Sequence, residues 1–302
     1  MKRLFIVYNP NSSKYCHVKT EILDCPENFK GFILGKYAIK KTSFNKNVAD
    51  FSKFLADGDL VLSAGGDATA AIAANAIIES KKDATLAVLP YGNFNDLART
   101  LNTFKLKDIF SKTATTKKLH PLSVYVDGKF WRYATCYTTI GMTAEAVELF
   151  DDENVRKQLQ KGHKSSWRSY IHLMVWYFKN RHKKQFIPDF KLNGKPQHKK
   201  TSDYAAVNGY SMCRVMKGGR DYLEPKTFRS MTDRLTNFPR LFVLMVKSIL
   251  YRTPGKDTVG DILEFDNLAT VEIQAEGEYE IFENIKKIEI KKGDACLKVI
   301  QN

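Results

Sequence analysis

The chain has 302 residues, 43% of them hydrophobic, which is enough to bury a core in each of two ordinary domains and marks a globular protein. Its five cysteines, Cys16, Cys25, Cys136, Cys213 and Cys296, form no CxxC pair and leave an odd thiol, so neither a disulfide framework nor a zinc site is expected and a reducing cytoplasm fits. A net charge of +15 calls for an anionic partner, with an acidic lipid surface and nucleic acid as the two large candidates.

The first segment, MKRLFIVYNP, is interrupted by Asn9 and Pro10 too early for a signal peptide. RLFIVY (3–8), DLVLSA (59–64) and TLAVLP (85–90) read as buried strands, with helices predicted at 47–55, 69–79 and 96–101. Alternation of this kind predicts a doubly wound, mostly parallel α/β sheet. Beyond Pro121 the texture changes to LSVYV (122–126), an Asp127-Gly128 hairpin signal, WRYATCYTTI (131–140) and an Asn193-Gly194 turn. The theme returns in VEIQAEGEYEIF (271–282) and KKIEIKKGDACLKVI (286–300). Two helices are predicted in this part, at 143–159 and 166–179. The expectation is an α/β domain over 1–121 and an antiparallel, β-sandwich-like domain with accessory helices over 122–302, whose C-terminal tail is free to pack back on the first. The longest apolar run, LFVLMV (241–246), is far short of the roughly 18 to 20 residues of a spanning helix, so no membrane crossing is expected.

Three strand ends carry candidate chemistry. In SAGGDATAAIAANAII (63–78), Gly65-Gly66 permits a sharp turn and close backbone approach to a ligand, and the helix that follows offers amides and a positive end to a phosphate. Asp67 cannot itself attract a phosphate; it calls for a cation or a proton-handling task, or else is simply the N-cap of the helix. PYGNFNDLAR (90–99) and NPNSS (9–13) also follow apolar strands, and three such ends suggest one crevice at the C-terminal edge of the sheet. Neither GxxxxGK[ST] nor GxGxxG is present, so a phosphate site here is of another type.

The ordered motifs resemble the diacylglycerol kinase catalytic-domain family of lipid kinases, which includes the sphingosine and ceramide kinases. They are Asn9-Pro10-Asn11-Ser12-Ser13, Gly65-Gly66-Asp67-Ala68-Thr69 with Asn75, and Pro90-Tyr91-Gly92-Asn93-Phe94-Asn95-Asp96-Leu97-Ala98-Arg99. Then come Ile140-Gly141-Met142-Thr143-Ala144, Gly218-Gly219 through Pro225 to Asp233-Arg234-Leu235, and Glu276-Gly277-Glu278. The resemblance implies ATP in the first domain and a lipid hydroxyl approaching from the second, with phosphoryl transfer by positioning and charge neutralisation. It implies nucleotide contacts from Asn9, Pro10, Asn11, Ser12, Ser13, Thr42, Gly65, Gly66, Asp67, Ala68, Thr69, Asn75, Gly92, Asn93 and Asn95. Mg²⁺ would be organised by Asp67 and Asp96, with Asp233 a further metal ligand. Glu276 would be the general base, with Asp67 and Glu278 beside it in catalysis. On the residues alone, AEGEYE also reads as a plain hairpin with solvated carboxylates.

Four positions depart from the family pattern. Ala68 replaces a glycine, and a left-handed backbone there would cost on the order of 1 kcal/mol. Asn93 replaces Thr, Glu276 replaces Asp with one methylene more, and Arg234 replaces a glycine beside Asp233. These admit a slow or altered enzyme.

Between 156 and 200 stand thirteen Lys or Arg against one acid, Asp189. Within it, SWRSYIHLMVWYFKNRHKK (166–184) can be written as a helix with Trp167, Tyr170, Ile171, Met174, Tyr177 and Phe178 on one side, suited to an interface with acidic lipid or to packing on the sheet. The histidines there lack ligand spacing. The expectation is an ATP- and Mg²⁺-dependent cytoplasmic lipid kinase, peripherally bound to an anionic membrane, that phosphorylates diacylglycerol or a related lipid alcohol. Alternatives are a kinase of a soluble substrate such as NAD, and a catalytically impaired nucleotide- or lipid-binding protein. No nucleic acid is expected as partner, and a homodimer is left open.

Overall fold

In the computed structural model, which describes residues 2–12, 14–147, 149, 154, 166–180, 186–213, 216–217, 226–251 and 255–302, the chain divides into two units, Met1–His120 with Ala295–Asn302, and Pro121–Asp294. The first is α/β with a mostly parallel sheet, the second an antiparallel sheet domain with helices.

In the first unit β1 (Lys2–Tyr8), β2 (Phe32–Ala38), β3 (Leu60–Gly65), β4 (Thr85–Pro90), β5 (Thr115–Leu119) and β18 (Leu297–Gln301) form a sheet of order β2-β1-β3-β4-β18-β5. All neighbours run parallel except β5, which lies antiparallel to β18. Leu4, Ile6, Leu62, Ala64 and Leu89 project from one face onto Val18, Ile22 and Phe29, whose segment includes the short helix α1 (Tyr15–Val18). Elsewhere in the unit lie α2 (Phe44–Ser52) and α3 (Asp67–Ser80), and α3 buries Ala70, Ala71, Ala73, Ala74 and Ala76, so its alanines let neighbouring backbone approach closely. Two further helices are short, α4 (Asp96–Thr100) and α5 (Leu106–Ile109). Because the chain steps from β1 outward to β2 and then back across to β3, the C-terminal ends of β1 and β3 flank the point where winding reverses, where open α/β sheets bind ligands. The strand β2 was not expected from the sequence. Gly35 interrupts its pattern, and it is there because a Cβ would lie 2.4 Å from the Phe5 ring.

The second unit is built on β16 (Gly260–Ala275) and β17 (Glu278–Lys292), joined by a two-residue turn. Around them lie β6 (Leu122–Val126), β7 (Lys129–Ala134), β8 (Tyr137–Gly141), β9 (Phe190–Leu192), β11 (Asp203–Val207), β14 (Phe228–Asp233) and β15 (Lys256–Thr258), in the order β15-β14-β11-β8-β16-β17-β6-β7 with β9 added on β16. The two small strands β12 (Ser211–Met212) and β13 (Met216–Lys217) pair separately, and β10 (Lys195–Pro196) pairs antiparallel with β9. Register shifts between Glu264 and Val271 bend β16, so its first part pairs with β9 and its last part with β8. The sheet thereby wraps a core in which Leu122, Val124, Ile140, Tyr204, Leu263, Ile273, Ile288 and Ile290 are fully buried.

The sequence WRYATCYTTI falls on two strands, broken at Thr135-Cys136. Of the helix expected at 143–159, α6 (Met142–Glu145) is the start and the remainder falls largely outside the described residues. The helix α7 (Ser166–Asn180) matches its prediction, whereas α8 (Phe238–Leu250) was read only as an apolar run too short to span a bilayer. Asn237 caps α8 by accepting the Arg240 amide at 3.3 Å, and Pro239 sits in its first turn where no amide is needed. No helix among the described residues is long and apolar enough to cross a membrane.

Truncating Ile288, fully buried between β16 and β6, to alanine is expected to cost about 2–5 kcal/mol. Urea denaturation followed by circular dichroism measures it, and a loss below about 1 kcal/mol would contradict the packing described.

Candidate functional site

In the first unit, the loops after β1, β3 and β4 meet at the reversal point. The turn after β1 is closed by Asn9, whose carbonyl accepts the Ser12 amide at 3.1 Å and whose Oδ1 accepts the Asn11 amide at 2.9 Å. Among the described residues, the buried Ser12 hydroxyl has no protein partner. Ser13 lies outside the described residues, as do Gly218, Gly219 and Pro225.

The loops after β3 and β4 are pressed together backbone to backbone. A Cβ on Gly92 would lie 2.3 Å from the Gly66 Cα, so only glycine fits there, and one on Gly66 would lie 3.1 Å from the Gly92 Cα, a tight contact. Asn95 holds the second loop in shape from a left-handed backbone, φ 58°, its Oδ1 accepting the Gly92 amide at 2.7 Å and its Nδ2 donating to the Gly92 carbonyl at 2.9 Å. Lys14, absent from the sequence reading, reaches across to donate to that same carbonyl at 2.9 Å. A lone lysine after a polar turn gave little signal.

Asp67 does not cap its own helix, as the plainer reading had it. It opens α3, and its carboxylate accepts the amides of Asn95 at 2.8 Å and Leu97 at 3.3 Å, capping the start of α4 instead. Burial pushes its carboxyl up from the usual range, against the amides of Leu97, Asn95 and Asp96. Ala68 follows in the first turn of α3 and is not among the residues with positive φ, so the strain expected from replacing a glycine is absent. Gly65 and Thr69 pack against each other, and Asn93 is half-buried in the loop after β4. Pro10 and Thr42 are exposed on the loops after β1 and β2.

Two residues are placed differently from the implied roles. Asn75 is buried in the middle of α3 and donates to the Ala71 carbonyl at 2.8 Å, one turn back in its own helix. Asp96 is fully buried, which does not suit a Mg²⁺ that keeps several waters. Asp67 is the half-buried carboxylate that remains.

In the second unit, Glu276 and Gly277 form the turn between β16 and β17 with φ of 54° and 89°, the left-handed pair that such hairpins usually fill with Asn-Gly or Asp-Gly. The side chain is not solvated as a plain hairpin would have it. Only 1% exposed, its Oε1 accepts the Thr135 hydroxyl at 2.6 Å and the Cys136 amide. The break between β7 and β8 exists at these two residues, neither of which the sequence reading singled out. Nearby, the buried guanidinium of Arg132 lies 3.9 Å from the centre of the Trp131 ring and 3.5 Å from Glu280. Burial lowers its pKa to about 10, opposed by Glu278, Glu280 and Glu276. Glu278 is half-buried on β17.

The Asp233 carboxylate takes the Arg234 amide at 2.6 Å and the Arg240 guanidinium, so an internal cation stands where the resemblance implied a metal. The structure assigns Asp233 to that ion pair. Its cross-strand partner on β11, Asp203, is fully buried and accepts both the amide of Thr143, at 2.9 Å, and its hydroxyl. Among the described residues no cluster of three or more His, Cys, Asp or Glu is arranged to hold a metal.

Residues 3–125 match the family model described as the diacylglycerol kinase catalytic domain. This stretch belongs to the diacylglycerol kinase catalytic-domain family. Over the whole chain the fold is similar to a solved protein from Bacillus anthracis str. Sterne described as "a putative diacylglycerol kinase", with a TM-score of 0.66, 17% identity, and coverage of 100% of this chain and 97% of that one. It is likewise similar to a structure described as a diacylglycerol kinase from the same organism, with a TM-score of 0.69, 16% identity and the same coverage. No curated protein matches the sequence. The diacylglycerol kinase catalytic domain thus spans all three strand-end loops and ends within β6.

Two measurements test these assignments. Gly92→Ala is expected to force the loops apart and destabilise the first unit by about 1–3 kcal/mol, as at other overpacked sites; a thermal melt unchanged from the native chain would contradict the close approach. In the second unit, burial raises the Asp203 carboxyl to about 7, against the pull of its Thr143 bonds and with help from Asp233. The folded unit therefore holds a proton that the unfolded chain releases near pH 4, so this contribution to stability is complete below about pH 4 and is lost as pH rises through about 7. Asp203→Asn, which keeps an acceptor for Thr143, should flatten the fall in stability across that window; denaturant titrations from pH 4 to 8 would show an unchanged slope if Asp203 is not responsible.

Proposed function

We propose that the protein is an ATP- and Mg²⁺-dependent lipid kinase that phosphorylates diacylglycerol, or a related lipid alcohol, to phosphatidic acid or its counterpart. The observation that carries the proposal is the pair of glycine loops held in contact beside the reversal point, with Asp67 locked between them by two backbone amides. Such a site leaves the positive end of α3 and close-lying amides for phosphate oxygens. The buried hydroxyl of Ser12 is the kind of orphaned donor that a phosphate would satisfy.

Asn9, Asn11, Ser12, Gly66, Thr69, Gly92 and Asn93 would bind nucleotide around that point. Asp67 fits a Mg²⁺ held by one carboxylate, waters and phosphate oxygens, rather than an all-protein cage. When bound, the ion neutralises charge building up on the transferred phosphoryl group. Glu276 serves as general base, taking the proton from the lipid hydroxyl. Its left-handed backbone costs about 1–2 kcal/mol, a strain of the sort that functional sites store. The Thr135 hydroxyl and Cys136 amide fix Oε1, so the extra methylene relative to Asp ends in a defined position. Arg132 supplies positive charge behind the three glutamates. Diacylglycerol resides in a bilayer, so the enzyme works as a peripheral membrane protein.

The test is transfer from [γ-³²P]ATP to mixed vesicles containing diacylglycerol, with NAD as a soluble competitor substrate. The native chain is expected to label the lipid, and Asp67→Asn and Glu276→Gln each to lower the rate by about 10²–10⁴-fold, the second with unchanged melting because it keeps the acceptor for Thr135 and Cys136. Labelling of NAD alone, binding of ATP without transfer to any lipid, or full activity in both variants would each reject the proposal.

A further inference from the structure

The helices α7 and α8 of the second unit touch through aromatic rings, Tyr177 and Phe178 against Phe238 at 6.1 and 5.1 Å between centroids. Their inward residues include Tyr177 and Leu244, 6% and 5% exposed. Their outward residues are apolar as well. On α8, Phe242 is 57% exposed, Val243 50%, Val246 37% and Leu250 63%, and on α7 Ile171, Val175 and Phe178 are 42–48% exposed. The stripe expected on α7 is therefore divided, with Tyr177 turned into the protein and Ile171 and Phe178 turned out, where Val175 joins them.

At about 100° per residue, the four outward positions of α8 fall within a single arc of about 100°. Isolated exposed apolar side chains need no explanation, but seven on two touching helices form a patch of the kind that marks an interaction surface. The charges around it select the partner. Neither helix contains an acidic residue, Lys179 and Lys247 are exposed at their ends, and the sequence that follows each, RHKK (181–184) and YR (251–252), is again cationic. A second copy of the chain is a poor fit, because a twofold contact through this patch sets lysines against lysines with no acid on either helix to answer them. An anionic lipid surface answers both features at once, taking apolar side chains at the acyl boundary and lysines at the headgroups. With 13 residues, α8 lies in the plane of the interface and does not cross it.

We propose that α7 and α8 together form a membrane-docking face in which Phe242, Val243, Val246 and Leu250, beside Ile171, Val175 and Phe178, enter the outer layer of an anionic bilayer. The inference stands on the two helices and not on the identity of the lipid that is phosphorylated, so it is measured without nucleotide.

The experiment is co-sedimentation of the full chain with vesicles of phosphatidylcholine alone and of phosphatidylcholine with phosphatidylglycerol, with thermal melts as the check on folding. The native chain is expected to bind the anionic vesicles, and Phe242→Glu with Leu250→Glu to weaken that binding at least tenfold. A control with the same added charge, Leu268→Glu with Ile281→Glu, replaces residues that are 62% and 50% exposed on β16 and β17 and should bind as the native chain does. Lys179→Glu with Lys247→Glu should remove the preference for anionic over neutral vesicles. The proposal is overturned if the native chain binds neither vesicle, if the two double-glutamate pairs weaken binding equally, or if Phe242→Glu with Leu250→Glu leaves binding intact. It is also overturned if ultracentrifugation shows a native dimer that this variant splits while vesicle binding persists, since the face is then a contact between copies.

Discussion

The touching backbones of Gly66 and Gly92 set the geometry on which the rest of the first unit's chemistry depends. With the two backbones this close, the loops leaving β3 and β4 share one position, and a side chain on Gly92 would force them apart. Everything polar nearby follows from that contact. Asn95 adopts a left-handed backbone because its amide group then mirrors the donor and acceptor of Gly92, and the start of α4 comes within reach of the carboxylate that opens α3. One side chain, Asp67, thus ties two helices together while its burial makes the charged form costly. An opposing positive charge would relieve that cost, which is why an aspartate here is both a structural tie and a natural ligand for a cation.

The second unit holds its own carboxylate by different means. The chain leaves the ladder at Thr135 and Cys136 between β7 and β8, and the Thr135 hydroxyl and Cys136 amide turn to Glu276 at the tip of the long hairpin. Three glutamates at alternate positions, 276, 278 and 280, share the field of one buried guanidinium. The Asp203 and Asp233 pair on adjacent strands shows the alternative solution, in which Arg240 neutralises one acid and the other is left with a proton to hold near neutral pH.

Much of this was legible in the sequence where the pattern is local. The parallel strands β1, β3 and β4 are continuous apolar runs, and the hairpin at Glu276-Gly277 sits between two alternating ones, so periodicity alone finds them. The ordered loop motifs likewise pointed to Asp67 and Glu276. What escaped depends on partners distant in the chain. The strand β2 is masked by Gly35, which yields space to Phe5, and α8 was hidden because an apolar run of that length is ambiguous until its cap at Asn237 is seen. The direction of the Asp67 carboxylate, the inward turn of Glu276, the reach of Lys14 and the pairing of Asp233 with Arg240 are all contacts between loops or elements that no spacing rule encodes. Asn75 matched a motif by position, yet its amide faces back along its own helix.

The last strand carries a consequence for how the molecule is made. Because β18 lies between β4 and β5, the sheet that bears all three strand-end loops has a gap until residues 297–301 arrive. During synthesis, β4 and β5 wait with open edges while the whole second unit is translated. The first unit therefore cannot close its sheet until the residues of the second unit have been made, although most of its own residues precede them.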